Sequence, residues 1–288
     1  RRACCWRPRW AAAAFWKNLK TTPCRASAEL PGWRADFATA STCVPLFAEL
    51  APLTSACANH TDWPEHAWLN RLAGELGIRN ATGQPLRFIA QAEKCSQRGY
   101  ELGIHASAEV PTRPRNWHDL FNALIWLAYP LTKAALNARQ ATLLSAADGG
   151  QRGAASDAAT LFDESGLVLV TPNAELAGLL AEKCWVEAFW TQRHAWARAR
   201  LHVIGHSLLE KALTPTPGIT GKCLFIEAPA DLPRAEIDRR VAAIWTAGSI
   251  TRPAQLFPLP VAGVPGFDPG NSARAFYDNV EVFRPPRR

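Results

Sequence analysis

The 288-residue chain contains no methionine, and its eight cysteines form no CxxC pair and no regular spacing with its seven histidines. That pattern excludes a zinc knuckle or a redox motif and sets reduced, structural thiols as the expectation. No window reaches the ~18 uncharged apolar residues of a membrane helix, because Arg, Asp, Glu or Pro interrupts every apolar run. Internal repeats are absent, and so is the regular strand–helix alternation of a doubly wound sheet. What is present is a composition 48% hydrophobic, enough to bury a substantial core. The expected fold is α+β: a mainly helical single domain over residues 31–288, with short strands, a hairpin, and an extended proline-rich C-terminal tail from about residue 250 that wraps over the body. A cytoplasmic location is expected.

The net charge of +7 is confined to the ends. Residues 1–34 hold Arg1, Arg2, Arg7, Arg9, Lys17, Lys20, Arg25 and Arg34 against the single acid Glu29, which accounts for all of it. Arg284, Arg287 and Arg288 close the chain, so the body between is mildly acidic. Such ends read as solvated tails; nucleic-acid binding is expected, if anywhere, through them alone. Residues 1–30 are expected to be an irregular basic leader, disordered or artefactual, since the arginines of an export signal are not followed by an unbroken apolar run.

Along the body, PEHAWLNRLAGELG has helical spacing and ends at Gly77. LRFIAQ and YELGIH read as strands. Two helices follow, Trp117 to about Ala128 and Thr132 to about Ser145, broken at Pro130. ATLFDESGLVLV reads as two strands joined through a turn, in which Asp163 and Glu164 have an ordinary turn role and a secondary role as site candidates. WVEAFWTQRHAWARAR places Trp185, Phe189, Gln192 and Trp196 on one helical face, which suits core packing better than base stacking. KCLFIEA reads as a strand, and a helix from about Pro233 to Trp245 is expected with Asp231 as its cap.

Two polar clusters interrupt apolar surroundings. In NWHDLFNALIW, Asn116 is a favoured N-cap and Asp119 stands where a capping-box residue reaches back. His118 and Asn122 lack that structural reason; four apart, they share a face. A helix N-terminus favours the neutral imidazole at His118, as a base or metal ligand requires, and its exposed N–H groups with Arg113 and Arg115 could seat an anion. In VIGHSLLEK, His206 and Glu210 are again four apart, a spacing that lets a carboxylate orient an imidazole or both ligate one metal. The same stretch resembles a nucleophile elbow, but Leu209 takes the place of its second glycine, which argues against Ser207 as a nucleophile.

If the two clusters meet, His118, Asp119, His206 and Glu210 supply an acid–base pair or a divalent-metal site, and Arg113, Asn122, Asn137 and Arg139 could hold a small anionic substrate. The leading expectation is a hydrolase-like or other acid–base enzyme, with a divalent metal admitted as cofactor. The alternative is a non-catalytic module for a protein partner or metabolite, in which these residues are helix caps and a buried network.

YELGI, VPTRPRNWHDLFNALIWLAYPLTKAALNAR, LFDESG, GHSLLEK and PLPVAGVPGF…FYDNVEVFRP resemble, in that order, the bacterial family termed domain of unknown function 3025, over roughly Pro31 to Pro285. The resemblance implies a single, cytoplasmic bacterial domain and no established activity. Two departures from the family pattern are Ser207, where alanine is usual, and Gln140, where a histidine is common.

Overall fold

The computed structural model describes Trp33, Phe37 and residues 44–91, 96–146, 153–214 and 216–286. The basic leader lies outside these residues. Among these residues helix accounts for 57% and strand for 14%, the mainly helical α+β architecture that the mixed helical and strand patterns of the sequence predict.

Nine α-helices are described: α1 (Ala51–Ala58), α2 (His66–Glu75), α3 (Gln97–Ser107), α4 (Trp117–Ala128), α5 (Pro130–Ala146), α6 (Ala154–Ser165), α7 (Ala174–Ala181), α8 (His206–Leu213) and α9 (Arg234–Thr246). Strands β1 (Arg87–Ala90) and β2 (Glu109–Thr112) form a parallel pair. Strands β3 (Gly166–Thr171), β4 (Arg200–Val203), β5 (Thr220–Glu227) and β6 (Phe257–Pro260) form a second sheet in the order β4-β3-β5-β6. Within it β3 runs antiparallel to β4 and parallel to β5, with Leu167 opposite both Val203 and Cys223. Every residue of β3 is buried. A strand covered on both faces has no polar side to alternate, which is why GLVLVT is a continuous apolar run.

Helix α4 is buried along almost its whole length, all but His118 of its twelve residues. Its Trp117 and Phe121 join an aromatic stack with Trp33, Phe37, Phe47 and Trp63. The expected stripe in WVEAFWTQRHAWARAR holds for Trp185, Phe189 and Trp196, which stack on one another in the core, while Gln192 is only half-buried. The backbone beneath them is a single π-helical turn (Glu187–Thr191) followed by 3-10 structure, not a regular helix. The C-terminal segment crosses the body through β6 and short 3-10 turns, and the Trp185 indole donates to the Arg284 carbonyl at 2.8 Å.

Three local expectations are corrected. YELGIH is part of α3, because Ser96 caps that helix by accepting from the Gly99 N–H at 3.1 Å and Tyr100 and Ile104 share its inner face. ATLFDESGLVLV is no hairpin: its first half completes α6, whose Ala158, Ala159 and Phe162 follow the helical period inward, and only its second half is strand. Asp231 does not cap α9, whose N-cap is Pro233 without a side-chain bond.

Candidate functional site

Helix α4 starts where the sequence places it. Asn116 Oδ1 accepts from the Asp119 N–H at 3.0 Å, the expected cap. Asp119 does not reach back to its cap. Its carboxylate takes the Arg113 backbone N–H at 2.7 Å and the guanidinium through Nε at 2.9 Å and Nη2 at 2.8 Å. Burial pushes Asp119 up, but the Arg113 hydrogen bonds outweigh it and hold the acid below its usual range. This clamp ties down the turn through Arg115, whose φ is +55°, and fixes the exit of His118.

The second arm depends on two glycines. The N–H groups of Ile204 and Gly205 both donate to the Gly166 carbonyl, at 3.0 and 2.9 Å. A Cβ on Gly205 would lie 2.4 Å from Gly166 N and 2.5 Å from Ser165 Cα, so only glycine lets the start of α8 abut the end of α6. This contact brings His206 and Ser207 beside Asp163 and Glu164.

The two imidazoles meet. His118 Nε2 and His206 Nε2 are 3.1 Å apart, with ring centroids 4.4 Å apart and planes at 78°. His118 Nδ1 faces Glu210 Oε2 at 3.3 Å, and His206 Nδ1 faces Asp163 Oδ2 at 3.8 Å. Glu164 Oε1 stands 3.7 Å from His206 Nε2, while its Oε2 accepts a hydrogen bond from the Ser207 hydroxyl. Lys133, on α5, buries its ammonium against Asp163 with the Trp126 ring 5.6 Å away. His206 is the floor, 4% exposed at its side chain; His118 and Glu164, at 32% and 39%, form the solvent face.

These surroundings drive the two histidines apart. The Glu210 hydrogen bond raises His118 by more than burial lowers it, so the neutral ring expected from the helix dipole gives way to one favouring imidazolium. Burial lowers His206 to about 4, against the pull of Asp163. Asp163 is pushed up by burial but held below the ordinary carboxylate range by Lys133 and the imidazoles. Glu210 is lowered by its bond to His118.

Of the residues singled out in the sequence, His118, His206, Glu210 and the secondary pair Asp163 and Glu164 come together. The others are engaged differently. Arg113 is clamped to Asp119. The Asn122 amide donates to the Tyr100 hydroxyl at 2.9 Å, and the Asn137 amide to the backbone carbonyl and carboxylate of Glu101. Arg139 lies against Gly248, beyond the end of α9. Two residues of the cluster were not among the sequence candidates. Lys133 could have been suspected as a lone charge in an apolar helical block. Ser207, set aside as a nucleophile, instead holds Glu164; it lies 3.4 Å from His118 Nδ1, the same nitrogen that Glu210 takes, so no acid–histidine–serine relay exists.

As donors for a metal ion, His118, His206 and Glu164 each offer an atom, all within 4.8 Å of one another. Asp119, expected to be a further metal candidate, has both oxygens taken by Arg113. No curated protein and no solved structure matches the chain. One family model matches, described as protein of unknown function (DUF3025), over residues 86–287. The matched span begins at Leu86, so residues 31–85, included in the sequence resemblance, fall outside it. Because it covers more than half of the chain, the protein belongs to the DUF3025 family.

Proposed function

We propose that the protein is a hydrolase-like acid–base enzyme whose reaction centre is the His118–His206 pair. The observation that carries this reading is the 3.1 Å approach of two Nε2 atoms whose surroundings move their proton affinities in opposite directions. Pairs of titratable groups separated in this way mark acid and base assignments. His118, oriented by Glu210 and open to solvent, is the proton donor; His206, kept neutral on the floor, is the acceptor. The substrate is small and anionic: His118 and His206 stand in the first turns of α4 and α8, whose dipoles favour negative charge. A cytoplasmic location belongs to the same proposal. No described helix is long and apolar enough to cross a membrane.

A second reading has its own support. Asn116, Asp119, Asn122 and Asn137 serve as cap, clamp and buried network, as a non-catalytic binding module would use them. A cleft of about 380 Å³ between Asp62–Ala67 and Thr112–Asn116 could receive the ligand of such a module. Chromogenic carboxylate and phosphate esters separate the two. An enzyme turns over at least one of them, and His118→Gln lowers its kcat about 100-fold or more with the fold retained. Absence of turnover across the panel, with a metabolite bound in the cleft, decides for the module.

A further inference from the structure

Around the two imidazoles each donor faces the kind of partner that a metal ligand needs, hydrogen-bonded at His118 and Glu164 and 3.8 Å away at His206. A ligating histidine donates its other ring N–H to a carboxylate, and a ligating carboxylate is itself hydrogen-bonded. His118 presents Nε2 to the cluster and Nδ1 to Glu210. His206 presents Nε2 to the cluster and Nδ1 toward Asp163, which Lys133 anchors. Glu164 presents Oε1 and gives Oε2 to Ser207. Among the described residues His206 Nδ1, fully buried, has no hydrogen-bond partner; the 3.8 Å gap to Asp163 closes with a shift of less than about 1 Å.

Charge points the same way. Glu164 and Glu210 stand at the mouth, and among the described residues neither forms an ion pair with a lysine or arginine; their direct partners there are the imidazoles and Ser207, with Arg113 acting on Glu210 only from farther off. An anionic substrate would meet two carboxylates there. A divalent cation both neutralises them and offers that anion a ligand position.

We propose that His118 Nε2, His206 Nε2 and Glu164 Oε1 bind one divalent metal ion of the zinc type, with Glu210, Asp163 and Ser207 orienting the three ligands. Bond lengths of about 2.0–2.1 Å place neighbouring donors of a tetrahedral site about 3.3 Å apart. The observed 3.1 and 3.7 Å bracket that spacing. Two histidines and a carboxylate also serve iron(II) in an octahedral frame, with neighbours about 3.0 Å apart; the 3.1 Å side suits that frame as well, while the 3.7 Å side lies nearer the tetrahedral spacing. Three protein ligands leave a fourth position on the open side of His118 and Glu164, for water or a substrate oxygen, as in catalytic zinc sites. The inference uses the same two Nε2 atoms as the acid–base reading and replaces it while a metal is bound, since a ligated nitrogen neither donates nor accepts a proton; it stands without turnover, because binding is measured directly.

The test uses the full chain, stripped with a chelator and titrated with Zn²⁺ and Co²⁺ by calorimetry, with metal content after dialysis. One ion per chain is expected. His118→Gln and Glu164→Gln, both on the solvent face, should weaken binding at least 100-fold while the circular dichroism and melting profile of the stripped protein are kept. Glu210→Gln and Ser207→Ala should weaken it about 10–100-fold. His194→Ala, an exposed histidine elsewhere, should leave it unchanged. Sub-stoichiometric binding, binding indifferent to His118→Gln and Glu164→Gln, or occupancy by iron(II) alone overturns the proposal. No zinc bound together with turnover by the stripped protein overturns the metal and leaves the acid–base reading; one zinc per chain with no turnover by the stripped protein does the reverse.

Discussion

Lys133 is buried against Asp163, and the other oxygen of Asp163 faces His206 Nδ1 at 3.8 Å. Removing one member of a buried pair leaves an uncompensated charge, which costs about 3–5 kcal/mol. Lys133→Met is therefore expected to destabilise strongly, and Lys133→Met with Asp163→Leu to recover most of the loss. Urea unfolding of the two variants checks this; equal losses in both would show that the unpaired carboxylate is not what destabilises the single variant.

Gly205→Ala should destabilise by about 1–3 kcal/mol, the range for forcing extra carbon into a packed region. The atoms it meets are backbone of Ser165 and Gly166, so the strain is relieved by parting α8 from α6. Histidine ¹⁵N spectra should then show His118 and His206 titrating independently of each other. Unchanged spectra with wild-type stability refute the account of this contact.

Asp119→Asn keeps the shape but weakens three hydrogen bonds from Arg113. Charge-assisted bonds of this kind contribute about 1.5–3 kcal/mol each at most, and the partial exposure of Arg113 discounts them, so a total loss near 1–2 kcal/mol is expected. Since the folded Asp119 is more acidic than the unfolded one, its contribution is present above the unfolded pKa and fades as pH falls through the folded value. The difference between wild type and variant, measured at pH 7 and at pH 3, should shrink at the lower pH.

His202 supplies a pH effect remote from the cluster. Buried on β4, it meets the Tyr129 hydroxyl at 3.0 Å, Glu49 at 3.8 Å, and the fields of Arg200 and Arg234. Burial depresses its pKa, so the unfolded chain takes up a proton at a higher pH than the folded one. Stability from this residue is complete above about pH 6.5 and is lost as pH falls through the folded value. His202→Gln should flatten the fall in urea midpoint between pH 7 and pH 5; an identical pH profile in the variant would contradict the assignment.

Much of the cluster could be read from spacing. Asn116 as cap and His118 and His206 at helix starts follow from local rules, and their meeting was an expectation that the geometry supports. The roles of Asp163 and Glu164 were harder to read, because Asp-Glu-Ser-Gly has turn chemistry. They stand in the last turn of α6, where the helix dipole disfavours carboxylates. Imidazoles at two helix starts and acids at a helix end both run against local preference, and such conflicts concentrate at functional sites. The bonds of Asn122 and Asn137, expected as substrate-holding residues, to Tyr100 and Glu101 were not legible, since those partners come from a segment that reads as strand and folds as helix.

Glu164 is two residues ahead of β3, the strand covered on both faces and hydrogen-bonded to neighbours along both edges. Segments of that kind exchange their amide hydrogens only through global unfolding. The carboxylate pair adjoins that strand at the end of α6, so ligands are expected to come and go without help from local melting. Loading and release at this mouth should consequently keep one rate constant across sub-denaturing urea, up to the concentration at which the whole chain unfolds.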